Sequence, residues 1–285
     1  MNDGPMTNDR APLRVGVFGA AGRMGQAVCA AVDADPGLEL VAMVDPAFDG
    51  AEAPGALVPM RSASADAMAT AGAAVAVDFT IPGAALPNAR WCAHHGVHDV
   101  IGTTGFGDAA LSEMRELFAS GPANCVVAPN FAIGAVLMMR FSELAAPWFD
   151  TVEIIELHHD AKLDAPSGTA RMTAERIAAA RERAESASAG EPTVTDQEVR
   201  GGLPVANGDD WPARGEKVDG VTVHSVRLRG LVAHQEVLLG AAGQTLTIRH
   251  DSLDRASFMP GVLLAVKQIG ARPGLTLGLD AFLGL

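Results

Sequence analysis

The chain has 285 residues, 48% of them hydrophobic, which is enough for two globular domains with substantial cores. A formal net charge of -13 argues against a nucleic-acid partner, because phosphate binding requires clustered Lys and Arg. No apolar run is long enough to span a bilayer and the start carries no signal-peptide pattern, so we expect a cytoplasmic protein without membrane contact whose residues 1–12 are disordered.

The first half alternates short β-branched segments with Ala-rich segments of helical periodicity, which is typical of a parallel sheet with crossover helices. The predicted strands are 13–19, 38–45, 74–80, 97–103 and 124–130. This half therefore predicts an α/β, Rossmann-type, parallel-sheet domain that binds a dinucleotide.

The second half has longer predicted strands and predicts an α+β domain with an open mixed sheet. Strands are predicted over 151–159 and 221–230, and a hairpin over 234–251 turns at 240–243. A helix is predicted over 169–187 and a Gly/Pro/Asp-rich connection over 186–220. The last predicted element is an apolar helix over 254–270, which we expect to return to the first domain.

The segment "GAAGRMG" follows the first strand, with glycines at 19, 22 and 25. This is a variant of the dinucleotide fingerprint in which Ala21 replaces the middle glycine. A tight turn at Gly19 and close backbone approach at Gly22 would set a pyrophosphate on the amides of the next helix. A Gly-rich turn alone occurs in many α/β proteins, but its place between strand and helix favours a cofactor site.

Asp45 ends the second strand, where an acidic side chain normally accepts hydrogen bonds from the adenosine ribose. A carboxylate there repels a 2′-phosphate and Pro46 offers no positive charge, so we expect NADH to be favoured or both NADH and NADPH to be used. Arg23 weakens this preference, because its side chain could reach the adenosine end. Residues 78–80, 102–106 and 128–131 lie at the ends of three further predicted strands and are predicted to line the nicotinamide pocket.

The segment "ELHHDAKLDAPSGTA", residues 156–170, gathers groups suited to reduction of an anionic substrate. Histidine as a residue type suits proton transfer near neutral pH, which makes His158 and His159 candidates for it, and Lys162 can donate a proton or hold an anion. Gly168 and Thr169 begin a predicted helix, where amides bind carboxylate. The alternative is that the histidines simply end a strand and that Ser167 is only an N-cap.

This segment closely resembles the signature of the dihydrodipicolinate reductase family. The similarity extends over almost the whole chain through "RVGVFGAAGRMG", "DFTIP", "VIGTTGF", "APNFAIGAVLMM" and "RGLVAHQEVLLGAAGQTLTIRHDSLDR". It implies reduction of 4-hydroxy-tetrahydrodipicolinate, a small dicarboxylate, by NADH or NADPH in the diaminopimelate branch of lysine biosynthesis. It also implies a dinucleotide-binding domain of residues 13–131 and 252–285, a hinge, and a substrate-binding and tetramerisation domain of residues 132–251 in a homotetramer.

The resemblance also implies residue roles. The first histidine, His158, would handle the proton, Lys162 would be the proton donor, and His159, Gly168 and Thr169 would bind substrate. No metal is expected. The cofactor-binding residues would be Gly19, Ala20, Ala21, Gly22, Arg23, Met24, Asp45, Gly102, Thr103, Thr104, Ala128, Pro129, Asn130 and Phe131.

Three alternatives stay open. Residues 91–99 hold Cys92 and three histidines, but their spacing matches no common zinc pattern. The chain could be another two-domain dehydrogenase, although such an enzyme gives no reason for the His158, His159 and Lys162 set. It could also be a nicotinamide-binding redox sensor without catalysis, which would bind NADH but not oxidise it.

Overall fold

The computed structural model describes residues 11–48, 60–188 and 213–285. Most of the predicted disordered start and most of the predicted connection 186–220 lie outside these residues. The chain divides into two compact units: unit 1 comprises Met1–Ala132 and Arg255–Leu285, and unit 2 comprises Ile133–Asp254.

Unit 1 is built on a seven-stranded sheet in the order β12-β6-β5-β4-β1-β2-β3, in which every pair of neighbours is parallel. Its strands are β1 Leu13–Phe18, β2 Leu38–Val44, β3 Met60–Ser62, β4 Val75–Asp78, β5 His98–Ile101, β6 Cys125–Val127 and β12 Leu275–Leu277. Its helices are α1 Arg23–Asp33, α2 Asp66–Thr70, α3 Pro82–His95, α4 Asp108–Leu117, α7 Met259–Gln268 and α8 Asp280–Leu283.

The sequence of β1 explains its central position in this sheet. Val15, Val17 and Phe18 are all at most 1% exposed, as expected of a parallel strand covered on both faces. The strand order reverses at β1: β2 and β3 lie on one side of β1 in the sheet, and the chain then continues with β4 on the other side. Ligands of such sheets bind beyond the carboxyl ends of the strands at this point, and the Gly-rich segment lies there.

Unit 2 is built on a five-stranded mixed sheet in the order β11-β10-β7-β9-β8, in which only β7 and β9 are parallel. Its strands are β7 Thr151–His158, β8 Glu216–Val218, β9 Val221–Arg227, β10 Ala233–Ala241 and β11 Gln244–Ser252. Helices α5 Ile133–Ala145 and α6 Gly168–Ser188 pack on each other and on the strands. On β7, Val152, Ile154 and Glu156 are buried while the residues between them are less so, which gives the strand one inner face.

The α/β fold class is confirmed, with corrections to individual elements. The connection predicted over 186–220 is wrong at both ends, since α6 continues to Ser188 and β8 lies near its other end. The apolar helix predicted over 254–270 is shorter, because a 3-10 turn stands on each side of α7. In the part of the chain that the structure describes, no helix combines the length and apolarity needed to cross a membrane.

Candidate active site

The Gly-rich segment forms a tight turn between β1 and α1 in unit 1. Gly19 has a positive φ of 71°, and its amide donates to the carbonyl of Val44 at 2.8 Å. A Cβ on Gly25 would lie 2.1 Å from the Gly19 oxygen, so only glycine lets α1 start directly against the turn. No side chain caps α1 at Gly22, which leaves its first-turn amides suited to a pyrophosphate.

The Asp45 carboxylate is fixed at the end of β2. Its Oδ2 accepts a hydrogen bond from the Ala21 amide at 3.1 Å, and its Oδ1 accepts one from the Ala47 amide at 2.9 Å. Each carboxylate oxygen has a second lone pair, so both oxygens can still accept ribose hydroxyls. The predicted neighbours of this site differ in exposure: Arg23 is exposed, Met24 is half-buried and Ala20 is buried.

Asp78, at the end of β4, organises the neighbouring strand ends. It is fully buried, and its Oδ1 accepts hydrogen bonds from the Thr80 hydroxyl at 2.6 Å and from the Thr103 hydroxyl at 3.4 Å. The Gly102 amide donates to the Asp78 carbonyl at 2.8 Å. Thr103 is therefore buried against Asp78, whereas Thr104 is exposed.

Residues 128–131 follow β6 at the same edge of the sheet. The Ala128 amide donates to the Ile101 carbonyl at 3.0 Å, and Asn130 Oδ1 accepts from the Ala132 amide at 2.8 Å. Phe131 is buried with its ring centroid 5.8 Å from that of Phe79, while Pro129 is exposed. The predicted cofactor residues thus all lie in unit 1 at the carboxyl ends of neighbouring parallel strands.

In unit 2, His158 ends β7 two residues after Glu156, so both side chains lie on one face of the sheet. Glu156 is fully buried, and its Oε2 lies 2.5 Å from His158 Nδ1. Arg227 of β9 pairs with His158 in register and holds both Glu156 oxygens, at 2.8 and 2.9 Å. Burial opposes ionisation of Glu156, but hydrogen bonds from His158, Arg227 and Ser225 outweigh it and lower the pKa of this carboxyl to about 2.

The loop after β7 carries the remaining cationic groups. The ammonium of Lys162 lies 2.7 Å from Asp164 Oδ1. Burial opposes ionisation of Asp164, but the bond from Lys162 outweighs it and lowers the pKa of Asp164. Arg227 also donates to the Asp164 carbonyl at 2.6 Å, which ties the loop to the sheet, while His159 is exposed.

Helix α6 begins at Gly168, directly after this loop. Ser167 is buried, and its hydroxyl accepts from the Ala170 amide at 3.2 Å, so it is the N-cap of the helix. The Ser167 amide donates to Glu156 Oε1 at 3.2 Å, which places the helix start beside the buried carboxylate. Gly168 is exposed and Thr169 is half-buried, so both are accessible at the first turn.

The histidines of segment 91–99 are held separately from one another. Nδ1 of His94 and of His95 contact backbone carbonyls of their own helix, and His98 Nδ1 accepts from the Asn124 amide. Cys92 is fully buried. Among residues 11–48, 60–188 and 213–285, no group of three or more His, Cys, Asp or Glu side chains could hold a metal ion.

Comparison with known proteins assigns both halves of the chain to one family. A family model described as dihydrodipicolinate reductase, N-terminus, matches residues 13–131, and one described as dihydrodipicolinate reductase, C-terminus, matches residues 134–283. The chain belongs to the dihydrodipicolinate reductase family. Resemblance to this family is thereby confirmed, and with it a nicotinamide dinucleotide cofactor.

Similar full-length proteins carry the same description. A 4-hydroxy-tetrahydrodipicolinate reductase of Nocardia farcinica is 53% identical over 96% of this chain and 99% of its own length. One of Cutibacterium acnes is 51% identical over 96% and 99%, respectively. The solved structure of dipicolinate-bound dihydrodipicolinate reductase from Paenisporosarcina sp. TG-14 is 39% identical, with a TM-score of 0.78 over 95% of this chain and 99% of that one.

Sequence reasoning missed three charged residues of this family member. Glu156 had a usable signal, since it interrupts the apolar inner face of a strand two residues before a histidine. Arg227 had no such signal in the sequence, because it stands 71 residues from Glu156 along the chain. Arg61 of β3 is exposed, and its guanidinium lies 5.7 Å from the Phe48 ring centroid. The next residue, Ser62, accepts a hydrogen bond from the Asp45 backbone amide through its carbonyl oxygen at 3.0 Å, so Arg61 stands beside the end of β2.

Proposed function

We propose that this chain reduces 4-hydroxy-tetrahydrodipicolinate to tetrahydrodipicolinate with NADH or NADPH, in the diaminopimelate pathway of lysine biosynthesis. The observation that carries the proposal is the joint presence, in a member of this family, of a dinucleotide turn in unit 1 and the His158, Lys162 and α6 set in unit 2. When bound, the cofactor would supply the hydride. The side chains of unit 2 bind the dicarboxylate and supply the proton, and the 4-hydroxyl group leaves as water, so that hydride, proton and leaving group balance.

His158 is the proton carrier in this proposal. Because Glu156 is ionised and can only accept, the proton between them belongs to His158 Nδ1. The other ring nitrogen, Nε2, then exchanges a proton with the substrate. His158 retains only 14% of its side-chain exposure, which limits exchange with bulk water.

Lys162 and the start of α6 bind the anionic substrate. The ammonium of Lys162 faces a carboxylate, that of Asp164, and a substrate carboxylate would compete for the same donor. Lys162 is then placed to donate a proton, as the family resemblance implies. The amides of Gly168 and Thr169, with the positive end of α6, bind a second carboxylate, and the exposed His159 contributes a further donor.

We expect the enzyme to use both NADH and NADPH, and to use NADH as well as NADPH or better. The anchored Asp45 carboxylate favours a free ribose diol and repels a 2′-phosphate. Arg61 and the exposed Arg23 supply positive charge that offsets part of this repulsion. Replacing Arg61 with Gln should therefore lower kcat/KM for NADPH more than for NADH; an equal effect on both would remove Arg61 from this role.

A cytoplasmic homotetramer is the proposed assembly, formed through the open face of the unit 2 sheet. Ile155, Leu157 and Leu238 lie half-buried on the face of the sheet opposite Ile154 and Glu156. The register places Glu153 and Glu236 on the same face, so another copy would cover a mixed apolar and charged surface. Light scattering after size exclusion would measure the mass in solution. A monomer at all concentrations would contradict the proposal.

The experiment that tests the function is oxidation of NADH and of NADPH with freshly generated 4-hydroxy-tetrahydrodipicolinate. The unmodified enzyme should turn over, and His158→Gln should lower kcat by roughly 10² to 10⁴-fold while leaving the Kd for NADH unchanged. His94→Gln, which alters an exposed histidine of unit 1, is the matched control and should retain activity. Binding of NADH without oxidation would instead favour a redox sensor.

A further inference from the structure

We propose that Glu156 is a positioning residue for the reduction, which orients the His158 ring and the substrate-binding start of α6 and is itself held by an ion pair with the half-buried Arg227. The inference rests on the proposed function and deepens it. Glu156 itself is fully buried, so it acts through the groups it holds and does not touch substrate.

Each oxygen of Glu156 holds a different part of the site. Oε2 accepts from His158 Nδ1 at 2.5 Å and from Arg227 at 2.9 Å. Oε1 accepts from Arg227 at 2.8 Å and from the Ser167 amide at 3.2 Å. A single carboxylate therefore fixes the proton carrier by one oxygen and the first turn of α6 by the other.

Arg227 extends the same network to the loop that carries Lys162. Its Nη2 donates to the Asp164 carbonyl at 2.6 Å as well as to Glu156 Oε1. Asp164 in turn is the partner of the Lys162 ammonium. All three substrate-directed groups, the imidazole, the ammonium and the helix start, are thus connected to this ion pair.

The geometry also assigns the ring nitrogen that exchanges the proton. A carboxylate that accepts from Nδ1 fixes the orientation of the imidazole and leaves Nε2 as the nitrogen that can exchange a proton with the substrate. Glu156 therefore acts by orienting the ring.

Glu156→Gln tests the proposal, because it keeps the volume of the side chain and removes its charge. We expect kcat to fall by roughly 10 to 100-fold, the size of effect known for groups that orient metal-binding histidines, with the Kd for NADH unchanged.

Gln235→Leu is the matched control. Gln235 pairs with Glu156 in the β10–β7 register, is similarly buried, and donates to the Thr173 hydroxyl of α6 at 2.7 Å. The Gln235→Leu substitution removes this buried polar contact between the sheet and α6 and leaves the contacts of His158 unchanged. A purely structural role for Glu156 would give the two variants comparable losses of stability and comparable losses of kcat, which would overturn the proposal.

A second measurement needs no variant at Glu156. In the unmodified enzyme with ¹⁵N-labelled histidine, we expect the neutral His158 ring to carry its proton on Nδ1, with its signals assigned from the spectrum of His158→Gln. A proton on Nε2 would overturn the proposal even if Glu156→Gln failed to fold. Absence of turnover in the unmodified enzyme would instead contradict the proposed function and not the placement of Glu156.

Discussion

Replacing Gly25 with alanine should weaken cofactor binding. The added Cβ would lie 2.1 Å from the Gly19 carbonyl oxygen and 2.7 Å from the Ala20 Cα. Both are backbone atoms, so no side chain can rotate away, and α1 must move from the turn by at least about 1.3 Å to bring the 2.1 Å contact to an ordinary packing distance of 3.4 Å. That displacement separates the helix amides from the turn that would bind the pyrophosphate.

The expected size follows from the cost of overpacking. Inserting a methyl group into such a contact typically costs about 1–3 kcal/mol. If this cost falls on the bound state, the Kd for NADH rises roughly 5 to 150-fold, since each 1.4 kcal/mol changes an equilibrium constant about tenfold. Titration of NADH fluorescence on the full chain measures this constant, and thermal unfolding shows whether the variant is folded.

Gly121→Ala provides the control for the same chemical change. The nearest atom to a Cβ at Gly121 is 3.9 Å away, and its φ lies outside the left-handed region. Its Kd for NADH should equal that of the unmodified enzyme. A folded Gly25→Ala variant that binds NADH within twofold of the unmodified enzyme would refute the assignment of this turn to the cofactor.

Three further predictions concern the ribose, the substrate and pH. The double variant Asp45→Ala, Pro46→Arg should shift the ratio of kcat/KM values toward NADPH by about tenfold. The hydrogen bonds lost between the ribose hydroxyls and Asp45 are charge-assisted, but water partly screens them. An unchanged ratio would contradict the assignment of Asp45 to the ribose. Gly168→Val should raise the substrate KM and leave the Kd for NADH unchanged. A Cβ at Gly168 would have no atom within 4 Å, so the new side chain crowds only a ligand. An equal loss of affinity for substrate and for NADH would indicate damage to the fold. The pKa of Glu156 is lowered from 4.5 to about 2, so its stabilising contribution is complete above pH 4.5 and is lost as pH falls through about 2. Denaturant titrations between these pH values should show that the free energy of unfolding of the unmodified protein falls by up to about 3 kcal/mol, and that it falls by less in Glu156→Gln. An equal pH dependence of the free energy of unfolding in the two proteins would contradict this effect.

The sequence was sufficient to predict the buried strands but not the short edge strands. The strands β1, β2 and β4 to β6 are β-branched runs whose composition alone distinguishes them. In contrast, β3 and β12 have three residues each and lie at the two edges of the sheet. Their extended conformation comes from pairing with β2 and β6, a tertiary effect that local composition does not carry.

The same distinction separates the site residues that could be predicted from those that could not. His158, Lys162 and Gly168 lie in one short segment whose residue types indicate proton transfer and anion binding without a structure. Arg227 reaches Glu156 only because β7 and β9 pair in parallel register. Its role depends on a contact between distant segments, which no local pattern reveals.

Transfer of the hydride to 4-hydroxy-tetrahydrodipicolinate is the central claim, and isotope labelling tests it most directly. NADH that carries deuterium at the transferred position would be mixed with freshly generated substrate and the unmodified enzyme, and the product would be examined by mass spectrometry. We predict tetrahydrodipicolinate that contains one deuterium. Unlabelled product, or recovery of unreduced substrate with bound and unoxidised NADH, would contradict the account.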